Sequence, residues 1–197
     1  MRGVLVSLYL AADAGHDSGV LEVSTLSARL AYALMCLTLV WGVLTSTGWV
    51  NRLTGRDALR GSHQVLATLT LAFAFVHGTT LLMLDSGAWE LVEVVVPFKE
   101  TLRYTFGVLA FEGMLAASIA VGLKRFMTYW RWMWLHRLAY PAFVLGVLHA
   151  FFGALAAGSL ATVWMLGITL LVPAVTVMFL RFLPARTLAT AGLVEDL

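Results

Sequence analysis

The chain has 197 residues, of which 60% are hydrophobic and only 12% are charged, whereas soluble domains carry about 25% charged residues. This composition excludes an ordinary water-soluble fold. The net charge of +2, with basic residues in short clusters between apolar blocks, provides no basic stripe for nucleic acid. The apolar blocks run through the whole chain, so the sequence predicts a single membrane domain.

Five apolar segments are long enough to cross a bilayer, which takes about 20 residues. They are 28–50, 63–84, 104–123, 134–157 and 161–183. We therefore expect an all-α integral membrane bundle of five transmembrane helices in 28–183, between an extracytoplasmic segment, 1–27, and a short cytoplasmic tail, 184–197. Tyr32 is expected near a helix end, as an aromatic anchor at the membrane interface.

The charges of the connecting segments predict the orientation, because loops rich in lysine and arginine tend to stay in the cytoplasm. One face receives the basic residues Arg52, Arg56, Arg60, Lys124, Arg125, Arg131, Arg181 and Arg186. The opposite face collects mainly acidic residues, Asp13, Asp17, Glu22, Asp85, Glu90, Glu93 and Glu100. We expect a protein of the cell membrane with its N-terminus outside and its C-terminus in the cytoplasm.

Four of the five histidines fall on only two of the expected helices. His63 and His77 are 14 residues apart, which returns to nearly the same helix face and separates them by roughly 21 Å. His136 and His149 are 13 residues apart, or roughly 20 Å, on a helix that runs parallel to the first. Matching depths pair His63 with His136 and His77 with His149. Each pair offers two axial ligands to a haem iron held between helices.

The second spacing conflicts with an ideal helix, on which 13 residues leave His136 and His149 about 140° apart. Pro141 lies between them and is expected to kink the helix, because it removes a backbone hydrogen bond. The predicted pairing therefore depends on matching depth more than on matching face.

The spacing H-x13-H, followed two helices later by H-x12-H with Leu-His-Arg-Leu at 135–138, resembles the ferric reductase-like transmembrane family. That family includes the membrane domains of NADPH oxidases and ferric reductases and the haem-containing subunit of the periplasmic methionine sulfoxide reductase system. The resemblance covers about residues 28–183. It implies that the four histidines of the two pairs ligate two b-type haems.

The resemblance also has implications for partners. Many members of the family have six spanning helices and a flavin- and nicotinamide-binding module after the last one, whereas this chain shows five and a short tail. The electron donor is therefore expected to be another molecule, either a separate flavoprotein or a quinone.

Arginines flank the histidines of the expected cytoplasmic side. Arg60, Arg131 and Arg137 can pair with the propionate carboxylates of a haem, and Arg103 can do the same on the outer side. For each of them, an ordinary basic anchor at the membrane interface is the alternative.

Other polar and aromatic residues allow more than one interpretation. Glu112, near the middle of the third segment, is either a protonated structural residue or part of a proton path or a hydrogen bond to a histidine. Trp130, Trp132 and Trp134 alternate just before His136 and are expected to form an interfacial aromatic belt. A docking platform for an electron donor is the alternative.

These features predict a cytochrome b subunit that carries electrons across the bilayer through two bis-histidine haems, from a cytoplasmic or quinol donor to an outer acceptor. No catalytic residue is predicted within the chain. Two alternatives stay open. One is an enzyme that reduces its substrate directly at the outer haem. The other is a haem-free membrane anchor or transporter subunit whose histidines serve packing or proton movement.

Overall fold

The computed structural model describes residues 2–50, 54–84 and 89–190, with side chains from residue 15 onward except 163, 164, 185 and 189. These residues form helices, and no strand occurs among them. The helices are α1 (Arg2–Thr47), α2 (Arg56–Thr80), α3 (Leu91–Val95), α4 (Leu102–Gly122), α5 (Tyr129–His136), α6 (Ala139–Ala156), α7 (Leu160–Leu166), α8 (Val172–Leu180) and α9 (Ala185–Thr190). Single 3-10 turns follow α2 (Leu81–Met83) and precede α5 (Lys124–Phe126), and a π-helical turn, Gly167–Leu171, joins α7 to α8.

Five helical stretches of the described chain are long and apolar enough to cross a membrane. They are Gly15–Thr47, Arg56–Met83, Leu102–Gly122, Tyr129–Ala156 and Leu160–Leu180. Each overlaps one of the five segments expected from hydropathy, so the predicted all-α membrane bundle is confirmed. The chain is a multi-pass membrane protein. Arg52, Asp85 and residues 191–197, which entered the predictions of orientation and tail, lie outside the described residues.

The first helix begins much earlier than the expected start at residue 28. It runs without interruption from Arg2 past Asp17 and Glu22. Polar residues lower the hydropathy but leave the backbone hydrogen bonds of a helix intact, since these form within the segment itself. The polar stretch before residue 28 therefore extends the helix.

The expected interface role of Tyr32 is wrong, because its side chain is buried, with 9% exposed. It belongs to a cluster that we call the central core, formed by Tyr32, Met35 and Cys36 of α1, Phe143 of α6 and Ala174 of α8. Around this core, α1 packs along α2 and α4 packs along α6. Many large apolar side chains point outward, as is normal where the surroundings are lipid tails that are as apolar as leucine.

The fourth spanning segment is divided into α5 and α6 by a turn at Arg137 and Leu138. Pro141 causes this break, because it has no N–H to donate to the carbonyl of Arg137 and its ring would clash with that carbonyl. Two tighter hydrogen bonds replace the α-helical pattern: Leu138 N–H donates to the Leu135 carbonyl and Tyr140 N–H to the Arg137 carbonyl, both at 3.1 Å. The expected kink is thus a local unwinding one turn before the proline.

Two histidine pairs as the candidate functional site

The four histidines of α2, α5 and α6 meet in two pairs. The ring centroids of His63 and His136 are 6.3 Å apart at an interplanar angle of 86°. Those of His77 and His149 are 5.9 Å apart at 61°. We call the first the basic-side pair and the second the acidic-side pair, after the charges of the loops at those ends of the helices. The break between α5 and α6 allows both histidines of this segment to meet a partner on α2.

Backbone carbonyls of neighbouring helices orient three of the four imidazoles. The contacts are His63 Nδ1 with the Thr38 carbonyl at 3.1 Å, His77 Nδ1 with the Ser24 carbonyl at 3.0 Å, and His149 Nδ1 with the Arg103 carbonyl at 2.8 Å. Because a carbonyl only accepts hydrogen bonds, Nδ1 carries the proton in each ring and Nε2 keeps its lone pair. Metal-ligating histidines usually have this arrangement, with the second nitrogen donating to a carbonyl or carboxylate.

Two glycines make room for these imidazoles. Gly42 lies on α1 one turn after Thr38, and a Cβ atom there would be 3.0 Å from Cε1 of His63. Gly107 lies on α4 one turn after Arg103, and a Cβ atom there would be 2.8 Å from Cε1 and Nδ1 of His149. Each imidazole therefore rests against a helix surface from which the side chain is missing. These two glycines could not be recognised from the sequence, because the side chain that a helical glycine faces depends on tertiary packing.

His136 is held differently from the other three. Its Nδ1 is buried and makes no hydrogen bond of normal geometry with the described residues. The backbone carbonyl of Ala117 interacts with this imidazole only outside that geometry. Its ring instead stacks on Trp132, with centroids 5.6 Å apart and planes at 11°. The Lys124 ammonium lies 4.3 Å from the centroid of the same indole. Trp132 Nε1 is also buried without a partner among the described residues.

A cavity of about 600 Å³ opens beside the acidic-side pair, within the size range of cofactor pockets in proteins. His77 and His149 both line it, between α1, α2, α4 and α6. Most of its wall is apolar, and the charged side chains that line it are Arg29, Glu93 and Glu112. Arg29 did not figure in the sequence analysis, because it stands alone in the first spanning segment without a charged neighbour.

The ring separations of both pairs fit two ligands of one haem iron. An iron bound by two imidazoles on opposite sides, with metal–nitrogen distances of about 2 Å, requires ring centroids roughly 6 Å apart, and the observed distances are 6.3 and 5.9 Å. A closed zinc site needs four protein ligands, and the described residues contain no group of three or more histidine, cysteine, aspartate and glutamate side chains that would supply them. At the basic-side pair, the two unpartnered buried atoms, His136 Nδ1 and Trp132 Nε1, mark a place for further polar groups.

The arginines expected to neutralise propionates lie at the surface. Arg60, Arg131 and Arg137 are exposed near the basic-side pair, and no hydrogen bond or ion pair in the described part of the chain ties them to the histidines. Their proposed pairing with carboxylates stays a prediction. Arg103 contacts the acidic-side pair through its backbone carbonyl, which accepts a hydrogen bond from His149 Nδ1. Its guanidinium lies 4.2 Å over the Tyr104 ring and donates to the Tyr104 hydroxyl.

Glu112 and the tryptophans occupy distinct environments. Glu112 is exposed on α4 and lines the cavity. Trp130 and Trp134 are 69% and 70% exposed, as residues of an aromatic belt would be, whereas Trp132 turns inward.

The fold and the site define a class: a multi-pass all-α membrane protein in which histidines pair between helices at two depths. Residues 27–147 match the family described as "Ferric reductase like transmembrane component", and the chain belongs to this family. The match includes three of the paired histidines, and His149 follows two residues beyond its end.

One relative is the "Protein-methionine-sulfoxide reductase heme-binding subunit MsrQ" of Ralstonia nicotianae (strain ATCC BAA-1114 / GMI1000), which is 33% identical to the chain over 118 residues. The alignment covers 59% of the chain and 51% of the relative, so the chain spans about half the length of this curated protein. No solved structure matches the chain.

Proposed function

We propose that the chain is the haem-binding membrane subunit of an electron-transfer system and holds two b-type haems, one ligated by His63 and His136 and the other by His77 and His149. The observation that carries the proposal is the close approach of imidazoles from different helices, at 6.3 and 5.9 Å between ring centroids. The family membership supports it, and so does the name of the relative, a heme-binding subunit.

The haem and the residues of the chain would have different roles in electron transfer. A bound haem supplies one-electron redox chemistry at its iron. His63, His77 and His149 would ligate through Nε2, and the carbonyl that accepts a hydrogen bond from each Nδ1–H fixes the ring and raises the basicity of the ligating nitrogen. The mostly apolar wall of the cavity beside the acidic-side pair would limit the access of water, which affects the reduction potential of a metal centre.

The spacing of the pairs suits transfer across a bilayer. His63 and His77 are 14 residues apart on one helix, or roughly 21 Å, within a hydrocarbon layer of about 30 Å. Two sites at these depths divide the crossing into shorter steps. The basic-side pair would face the cytoplasm and receive electrons from a separate flavoprotein or a quinol. The acidic-side pair would deliver them to an outer acceptor, and the relative's name favours a separate reductase subunit in that role.

The test is the absorption spectrum of the purified protein, with single histidine variants. We expect a reducible b-type spectrum with two components. His77→Ala and His149→Ala should remove one component, and His63→Ala and His136→Ala should remove the other, because loss of either axial ligand opens the same iron.

Two results would count against the proposal. Loss of the same component in His63→Ala and His77→Ala, with His136→Ala unaffected, would contradict the pairing. A purified protein without haem after expression with an ample haem supply would support the haem-free anchor or transporter instead.

A further inference from the structure

Trp132 differs from its two neighbours in the tryptophan-rich helix α5. The side chains of Trp130 and Trp134 are 69% and 70% exposed, whereas Trp132 is only partly exposed and its Nε1 is buried. Its indole stacks on the imidazole of His136 one helical turn later. An interface anchor does not require this contact, so the aromatic-belt interpretation accounts for the two exposed tryptophans and leaves Trp132 unexplained.

His136 has a greater need of such a contact than the other three histidines. It is the last residue of α5, directly before the turn that Pro141 imposes, and its Nδ1 lacks the hydrogen bond of normal geometry that the others make with a carbonyl. The imidazole therefore lies at a break in the helix and lacks a hydrogen bond of normal geometry that would restrain rotation of its ring. The nearly parallel indole, at 11°, limits that rotation, because stacked aromatic rings keep close to one relative orientation.

The indole is itself held from a second segment. The Lys124 ammonium, on the 3-10 turn Lys124–Phe126, lies 4.3 Å from the centroid of the Trp132 ring, within the range of a cation–π contact. The Tyr129 ring packs against the same indole at 5.7 Å between centroids. Trp132 is thus fixed from the loop and from its own helix while its face meets His136.

We propose that Trp132 is the positioning residue of His136 and sets the orientation of that imidazole by stacking, because Nδ1 of His136 lacks the hydrogen bond of normal geometry by which a backbone carbonyl orients each of the other three. This inference rests on the proposed function, because it concerns the ligand geometry of the basic-side haem. The orientation of an axial imidazole about its bond to iron affects the electron paramagnetic resonance signal of a low-spin haem. Its fixation also affects the reduction potential.

The experiment compares Trp132→Leu and Trp132→Phe with the matched variants Trp130→Leu and Trp134→Leu. Haem content, the midpoint potential of each component and the low-spin resonance signal are measured in purified protein. Trp132→Leu should shift the potential and broaden the signal of the basic-side component, or lose that component, while the acidic-side component stays unchanged. Trp132→Phe should largely restore the wild-type signal, because it keeps an aromatic face for stacking although it lacks the five-membered ring of the indole and its N–H. Trp130→Leu and Trp134→Leu should resemble the wild type.

The possible results separate this inference from the proposed function. An unaltered acidic-side component shows that the variant has folded, so a change in the basic-side component reports on the site. A wild-type potential and signal in Trp132→Leu would overturn the inference, and so would a Trp132→Phe variant that behaves like Trp132→Leu. If His136→Ala leaves both components in place, the proposed ligation fails. If His136→Ala removes one and Trp132→Leu changes nothing, only the role of Trp132 fails.

Discussion

The positions of two imidazoles depend on the absence of a Cβ atom at a neighbouring glycine. At Gly42 and Gly107 the space that a Cβ would fill is taken by the rings of His63 and His149. Buried sites of this kind lack room for one more carbon unless the neighbour moves, and overpacking typically costs about 1–3 kcal/mol. The neighbour here is an imidazole whose Nδ1 is hydrogen-bonded to a carbonyl one turn away. The added methyl group would therefore displace an imidazole that we propose as a haem ligand.

Gly42→Ala should weaken or remove the basic-side haem component, and Gly107→Ala the acidic-side component. The effect should be greater at Gly107, where the distances to the ring are 2.8 Å, than at Gly42, where the shortest is 3.0 Å. Haem stoichiometry and difference spectra of the purified variants measure both effects.

Two glycines away from the imidazole rings and the cavity serve as controls. Gly61 precedes His63 by two residues, Gly122 is the last residue of α4, and an added Cβ meets nothing within 4 Å at either. Gly61→Ala and Gly122→Ala should keep both haems and gain up to about 1 kcal/mol of helix stability. Equal losses in all four variants would show that glycine flexibility matters, rather than the space beside the imidazoles.

At the scale of the helix, the unwound turn before Pro141 allows two histidines 13 residues apart to reach one partner helix. An uninterrupted helix would leave them about 140° apart. In the structure, tighter hydrogen bonds at Leu138 and Tyr140 change the rotation per residue between α5 and α6. Both histidines can therefore pair with α2 because the helix is interrupted between α5 and α6.

Pro141→Ala restores the N–H that an α-helix needs at this position, and we expect the break to become partly helical. This change should rotate α5 against α6 and weaken the basic-side component, because His136 belongs to the shorter helix. Circular dichroism and the haem spectrum of the same sample measure the two effects. Pro173→Ala, in the first turn of α8, is the matched control and should leave both components intact. A wild-type spectrum in Pro141→Ala would show that other packing maintains the break.

The sequence predicted the elements better than their contacts. Five spanning helices could be recognised because a bilayer demands long apolar segments, and the effect of Pro141 because its chemistry is local. The helical character of the residues around Asp17 was missed, because hydropathy reports on the surroundings of a helix and not on its backbone. Trp132 was grouped with its two neighbours, and the carbonyls and glycines beside the histidines went unnoticed, since both depend on which helices pack together.

For the molecule as a whole, the proposed orientation can be tested by chemical labelling. Arg56→Cys should be protected from a membrane-impermeant thiol reagent in intact cells, and Glu90→Cys should react, because the basic loops would face the cytoplasm. Cys36, the only native cysteine, is 1% exposed in the central core and should contribute little background. Permeabilised cells, in which both sites should react, are the control. The reverse pattern would exchange the sides on which electrons enter and leave.

The central core also matters as an electrical barrier. On α1 it lies between Ser24 and Thr38, whose carbonyls hold one histidine of each pair, and Phe143 lies between the two histidines of its own segment. The core side chains leave little exposed surface, and the nearby hydroxyls of Thr38 and Thr70 bond to each other at 3.1 Å. A chain of water molecules needs free polar partners and space. The cavity beside the acidic-side pair reaches Tyr32 and Met35, whereas Cys36, Phe143 and Ala174 do not line it and are buried, so these three side chains would form the barrier. Electrons can tunnel through packed side chains, whereas protons and ions need a chain of water molecules. The layer would therefore permit electron transfer without a leak of protons or ions that dissipates the membrane potential.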